Sequence, residues 1–343
     1  MTAKLLAIMW RRNVITRREV LSGLAATPLL GVGSKIAIAQ TYPERPVRII
    51  VPFAAGGSLD GAPRIVSQNI NTRTGWPIVI ENRVGGGGQV GTLAGKQAAP
   101  DGYTLTAING VSHGSALALR KDPGYDPVND FAPIVLLAAA PLVLLVRSDI
   151  GVKSLGEFVA YLKNNAGKLN YGSGGVGTQH HLAVAMLFDQ TKLPKDIAVH
   201  VPYQGLALAI NDLISGNVQF MISSVGPAWQ HVAAGKLTAL AVTSPKRIAQ
   251  LPNLPTMAEV GLKDFEMLAW SGLAAPVGTA PEIIRRWNAE ANISLKDEGV
   301  KKQLANFDYE TYGGSPDDFR QFIIQEQKRY LNLGMSTGLL SQK

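Results

Sequence analysis

Short runs rich in Val, Ile and Leu fall at residues 47–53, 77–81, 104–109, 134–137, 142–146, 169–172, 197–203, 218–223 and 237–243, and between them apolar residues recur every three or four positions. Strands alternating with amphipathic helices predict an α/β fold with a largely parallel sheet. Several helix starts are written out. Ser154-Leu155-Gly156-Glu157 has the form of a capping box, followed by Leu155, Phe158, Val159 and Leu162 on one face. Thr279-Ala280-Pro281-Glu282 repeats it before Ile283, Ile284, Trp287 and Ala291, and Ser315-Pro316-Asp317-Asp318 opens a last helix with Phe319, Phe322, Ile323 and Tyr330 inward. The apolar stretch 132–146 is interrupted by Pro133 and Pro141, which predicts two strands joined by a hinge near Pro141. A second break is expected at 265–270; two crossings suit a two-lobed chain that leaves its first lobe and returns to it.

At 343 residues the chain has room for about two domains. Hydrophobic residues make up 46% and charged residues 17%, the balance of a packed globule rather than a disordered tail. With no cysteine, thiolate metal sites, a catalytic Cys and disulfide scaffolds are all excluded. The net charge of +8 suggests an acidic partner until its location is considered. Residues 1–39 hold six basic residues and one acid, and without them the formal charge falls to +3. No clustered basic face remains, so nucleic acid is not an expected partner.

That front segment reads as an export signal. A basic stretch ends in Thr16-Arg17-Arg18-Glu19-Val20-Leu21, resembling a twin-arginine signal, an apolar stretch covers 20–32, and Ala37-Ile38-Ala39 precedes Gln40. The apolar stretch is well under the roughly 20 residues that span a bilayer. Cleavage after Ala39 is therefore expected, with residues 1–39 lost and the mature chain in the periplasm.

Three motifs invite a chemical reading. Gly110-Val111-Ser112-His113-Gly114 fits the G-x-S-x-G nucleophile elbow after a strand, and Asp212 and His231 follow in the order a triad needs. The same residues also describe a Gly-rich turn whose Ser binds a ligand or caps the next helix. Gly172-Ser173-Gly174-Gly175-Val176-Gly177 fits G-x-G-x-x-G, but the next strand ends in Tyr203-Gln204-Gly205 without the acid that would hold a ribose, so no nicotinamide cofactor is expected. Gly91-Thr92-Leu93-Ala94-Gly95-Lys96-Gln97 is one residue short of a P-loop and lacks its Ser or Thr. The adjacent His180 and His181 point about 100° apart on a helix and cannot share a metal; neither metal nor cofactor is expected.

Phe53-Ala54-Ala55-Gly56-Gly57-Ser58-Leu59-Asp60 leads from the first strand to a helix through Ile65, Val66 and Ile70, with Asp60 placed to cap that helix. Gly-rich strand-to-helix loops recur at 110–115, 173–180 and 223–228. Such loops lie at the carboxyl ends of strands, where ligands of open α/β sheets bind, and their amides suit an anion.

Across the mature chain the residues resemble the Bug-type periplasmic solute receptors of tripartite tricarboxylate transporters. The resemblance is carried by Arg45-Pro46-Val47-Arg48-Ile49-Ile50-Val51-Pro52-Phe53, Gly56-Gly57-Ser58 with Asp60, Glu81-Asn82-Arg83, Ala99-Pro100-Asp101-Gly102-Tyr103-Thr104-Leu105 and Tyr125-Asp126-Pro127. It continues through Leu169-Asn170-Tyr171-Gly172-Ser173, His200-Val201-Pro202-Tyr203, Ala239-Leu240-Ala241-Val242-Thr243, Leu254-Pro255-Thr256 and Ala275-Pro276 with Gly278-Thr279.

The resemblance implies a periplasmic binding protein fold of type II: two α/β lobes joined by two crossing strands, residues 40–142 with 268–343 forming lobe 1 and 143–267 lobe 2. One small organic acid would be held in the cleft for a membrane transporter by a monomeric, non-catalytic receptor. Phe53, Ala54, Gly57 and Ser58 would face it from the first lobe with Ser112 nearby, and Gly175, Gly177, Thr178, His180 and Tyr203 from the second. Ser223 and Ser224 complete the expected site; Ser223 stands where such receptors often carry an acid, which favours a plain carboxylate or neutral ligand. Two alternatives share the sequence: a secreted serine hydrolase using Ser112, and a ligand-sensing receptor without a dedicated transporter.

Overall fold

The β-branched run at the front of the mature chain forms β1 (Val47–Val51), flanked in parallel by β2 (Ile78–Asn82) and β3 (Thr104–Asn109). The structure is a computed structural model describing residues 42–338 other than 57, 121, 249 and 250; the expected export signal lies outside the described residues. Contacts divide the chain into 1–42, of which only Tyr42 is described, and 43–343, which carries everything below.

Between β1 and β2 runs α1 (Ser58–Thr74), which buries Val66 and Ile70 completely, and α2 (Gln89–Lys96) leads into β3. After β3 the backbone makes one wide π-type turn over Gly110–Ser115, continued by α3 (Ala116–Leu119). Then comes β4 (Phe131–Arg147), a single strand of 17 residues where two were expected. The second lobe follows as α4 (Leu155–Asn164), β5 (Leu169–Ser173), α5 (Gln179–Gln190), β6 (Ala198–Pro202), α6 (Leu206–Ser215), β7 (Phe220–Ser224), α7 (Val225–Ala233) and β8 (Leu237–Val242). The chain returns through β9 (Leu268–Pro276), α8 (Pro281–Lys296), α9 (Glu298–Ala305), β10 (Glu310–Gly313) and α10 (Pro316–Thr337).

The strand order is β2-β1-β3-β9-β4-β7-β5-β6, with β8 and β10 also pairing β4. Its outer strands are parallel, as expected, but its centre is not: β9 runs antiparallel to both β3 and β4, and β4 antiparallel to β7, β8 and β10. The expectation of a largely parallel sheet is corrected by this long central strand, which serves both lobes. Residues Phe131 to Pro141 pair with β9, and Leu142 to Val146 with β7. The two prolines sit where a missing N–H does least harm, Pro133 at a register shift and Pro141 as the last residue on β9. The predicted hinge is thus a change of partner within one strand.

Each lobe has its own core. Ile108, Phe131, Trp270, Phe319 and Ile323 pack in the first, and Leu145, Ile210, Leu213, Val218, Met221 and Val242 in the second. Ser154 accepts from Glu157 N–H and Ser315 makes a full capping box with Asp318, as their spacing predicts. Thr279 does not cap α8. Its hydroxyl donates to Pro276 O, and Ala280 takes the cap position before Pro281. Among the described residues no helix is long and apolar enough to cross a membrane.

Candidate functional site

The turn after β1 is stiffened from within. Gly56 adopts φ 78°, a left-handed conformation that costs glycine little, and its N–H donates to Asp60 Oδ2 at 3.0 Å. Asp60 is buried at the third residue of α1, so it is not the N-cap; its carboxylate reaches back to the turn and also accepts from Arg64 at 2.8 Å and Asn82 Nδ2 at 2.8 Å. Burial raises the Asp60 pKa, but hydrogen bonds from Arg64, Asn82 and Gly56 outweigh it and hold the carboxyl below its ordinary range. Asn82 also donates to Phe53 O at 2.8 Å, and the Phe53 ring covers Gly88, where a Cβ would stand 2.8 Å from it. Ala54 is exposed at the tip. Gly57 lies outside the described residues, and Ser58 is described only as the first residue of α1.

The turn after β3 folds Ser112 inward. Ser112 is 2% exposed; its N–H donates to Asn109 Oδ1 at 3.1 Å while its hydroxyl accepts from Asn109 N–H at 3.2 Å. Its carbonyl accepts from Tyr125 OH at 2.7 Å. Ser112 Oγ also lies 2.9 Å from His113 Nδ1, the pairing a nucleophile would need. Yet His113 is wholly buried, its pKa pushed down to about 3 by that burial, and its Nε2 has no partner. Asp212 is engaged by Tyr203 OH at 2.6 Å and Asn217 at 3.1 Å. The acid of the expected triad is thus held by Tyr203 and Asn217 rather than by a histidine.

Facing these turns, the loop between β5 and α5 is tied by two histidines that sequence reasoning did not select. Gly177 has φ 78° and donates its N–H to His181 Nδ1 at 3.1 Å. Ser173 Oγ lies 2.7 Å from His200 Nε2 and accepts from Gly175 N–H at 3.1 Å. The rings of His181 and His200 stack at 4.0 Å and continue onto Tyr171 at 4.9 Å from His200. Burial pushes both imidazoles down to about 4, keeping them neutral, and only neutral imidazole offers His181 Nδ1 as an acceptor. Two of the amides expected to face a ligand are therefore bonded within the loop.

Thr178 is the N-cap of α5, and its hydroxyl donates to Gly175 O at 2.8 Å. His180 points away from His181, toward Ser224 Oγ at 3.4 Å, with Nδ1 unpartnered and its pKa pushed down to about 4 by burial. Ser223 is fully buried with an unpartnered hydroxyl. Tyr203 lies against Gly172, its hydroxyl fixed on Asp212. No group of His, Asp and Glu suited to a metal occurs among the described residues.

The two lobes meet through these turns. Ser115 Oγ donates to Gly177 O at 3.2 Å, and a Cβ on Gly110 would collide with the side chain of Gln179. On the far side Gly226 N–H donates to the carboxylate of Asp308. Gln179 lies within the Gly-rich loop at 173–180 but is not among the residues selected there, and Asp308 lies outside every such turn and carries no signal in the sequence.

Residues 62–339 match the family model described as tripartite tricarboxylate transporter family receptor. The structure of periplasmic binding protein BugD superposes with a TM-score of 0.75 at 33% identity, covering 88% of this chain and 100% of that one. MatC (Rpa3494) from Rhodopseudomonas palustris, with bound malate, gives 0.74 at 31% identity over 85% of this chain and all of its own. Rpa4515 from R. palustris, with adipate, gives 0.77 at 30% identity over 87% and 98%.

Proposed function

Since the chain belongs to the tripartite tricarboxylate transporter receptor family, we propose that it is a periplasmic solute-binding receptor that captures a small organic acid between its lobes and presents it to a membrane transporter. The lobes of this reading are 40–142 with 268–343, and 143–267, and residues 1–39 direct export and are removed. The carrying observation is the pair of neighbours at 30% identity or above that hold malate and adipate. The site chemistry agrees with it. Unpartnered polar groups at Ser223 and His180 are buried where strand-to-helix turns of both lobes converge, and a buried polar group without a partner costs about 1–3 kcal/mol. A ligand carboxylate accepting from them would recover that cost.

The receptor is a monomer in this reading, and it acts without catalysis because Ser112 is bonded into its own turn and His113 is too weak a base to take its proton. Thermal unfolding of the chain from Gln40 onward, against mono-, di- and tricarboxylates, aromatic acids and neutral amides, tests it. A ligand at 100 times its dissociation constant adds about 2.7 kcal/mol. A rise with one class of acid, recovered unchanged, is the expected result. No rise, with ester hydrolysis that disappears in Ser112→Ala, would replace the receptor with a hydrolase.

A further inference from the structure

A cavity of about 430 Å³ opens between α5, β6 and the last turn of α10, and none of the residues expected to meet the cleft ligand lines it. Its volume falls within the range of about 300–1,000 Å³ found for small-molecule sites. Phe188 and Leu193 give it an apolar wall, and the stacked rings of His181 and His200 line it as well. Two side chains of opposite charge complete it, Asp189 in the last turn of α5 and Lys195 ahead of β6. The Lys195 ammonium sits 3.5 Å from where a Cβ on Gly338 would stand, and Gly338 is itself part of the wall. Among the described residues neither Asp189 nor Lys195 is in a salt bridge. His181 adds a directed donor. Because its Nδ1 accepts from Gly177 N–H, the neutral ring carries its proton on Nε2. The ring is only 6% exposed, yet that N–H has no hydrogen-bond partner among the described residues and is not sealed from solvent.

We propose that this cavity is a second binding site, separate from the cleft, for a free amino acid with an apolar side chain. The amino acid's carboxylate accepts from His181 Nε2–H and from the Lys195 ammonium, its own ammonium pairs with Asp189, and its side chain covers Phe188 and Leu193. A plain acid leaves Asp189 unmatched and a plain amine leaves Lys195 unmatched, so only the doubly charged molecule suits both. The assignment does not rest on what the cleft holds. Occupancy reaches the cleft loop all the same: an acceptor at Nε2 polarises the imidazole and strengthens Nδ1 as the acceptor of Gly177 N–H.

Imidazole NMR of the chain from Gln40 onward tests this, because the sequence has five histidines in all and His181→Phe and His200→Gln assign the two signals that matter. Leucine and phenylalanine are titrated beside the same carbon skeletons lacking the amino group or lacking the carboxylate. The expected result is a saturable shift of the His181 and His200 signals, with the amino acid at least about threefold tighter than either stripped skeleton. Lys195→Gln and Asp189→Asn each weaken the amino acid by about threefold to tenfold; the first removes its advantage over the amine and the second its advantage over the acid. Slower hydrogen exchange over residues 173–178 accompanies binding. Shifts confined to His180, shifts unaltered in both variants, or no shift at any histidine overturn the assignment. Movement of the two signals only on deletion of residues 339–343 would identify the chain's own end as the occupant and overturns it too.

Discussion

Leu142 and Thr243 exchange hydrogen bonds in both directions where the chain passes between lobes: Leu142 N–H donates to Thr243 Oγ1 at 2.9 Å, and Thr243 N–H to Leu142 O at 2.9 Å. The Thr243 hydroxyl donates onward to Met267 O at 2.5 Å, so one fully buried side chain fastens the outward passage to the returning one. Thr243→Val preserves shape and strands Leu142 N–H and Met267 O. The expected loss is about 1–3 kcal/mol, read as a lower urea midpoint with unchanged slope. An unaltered midpoint would mean that the backbone alone holds the crossing.

Four histidines make stability depend on pH. His113 is held down to about 3 and His180, His181 and His200 to about 4, in each case chiefly by burial, against 6.5 in the unfolded chain. Below pH 6.5 the unfolded chain takes up protons that the folded chain refuses until about pH 4. The stability of neutral burial is present above 6.5 and lost as pH falls toward 4. Calorimetric unfolding at pH 5 is expected at least about 4 °C below that at pH 7.5. A flat profile over that interval contradicts the buried neutral rings.

Replacing His181 by Phe retains a flat ring to stack on His200 but removes the acceptor of Gly177 N–H. Losing one hydrogen bond of about 1 kcal/mol speeds local opening by about fivefold to tenfold. Hydrogen exchange over residues 173–178 is the measurement, and unchanged protection there would show that His181 does not hold the loop.

Gly110 touches the other lobe. Gly110→Ala drives a methyl group into Gln179, and overpacking of this kind costs about 1–3 kcal/mol. Both the unfolding midpoint and ligand affinity are expected to fall, because the strain sits where the turns of the two lobes meet. A loss of stability with affinity intact would separate this contact from binding.

Local chemistry carried far into the fold and then stopped at the first long-range bond. The strand predicted at 104–109 is β3 end to end, because β-branched alternation is bounded by the turn at Gly102 and the Gly-rich turn at Gly110. In contrast β9, Leu268-Ala269-Trp270-Ser271-Gly272-Leu273-Ala274-Ala275-Pro276, has no β-branched residue, and all nine positions are buried. Its extended state comes from lying between β3 and β4, which no local pattern reports. The parallel-sheet expectation failed for the same reason. The site followed suit: turns at 110–115 and 173–180 were readable from glycine and strand ends, but the inward bonding of Gly175 and Gly177 depends on rings placed by β6 and α5. Asp308 meets Gly226 across 82 positions and is one acid among many in the sequence.

The unbroken run of β4 from Phe131 to Arg147 also bears on how such a receptor diversifies. A lobe cannot be exchanged between relatives without a splice inside a shared strand, where a one-residue slip would turn every side chain to the wrong face. An exchange of lobes therefore succeeds only where the splice keeps this strand in register. Substitutions on the turns at the strand ends leave that register untouched.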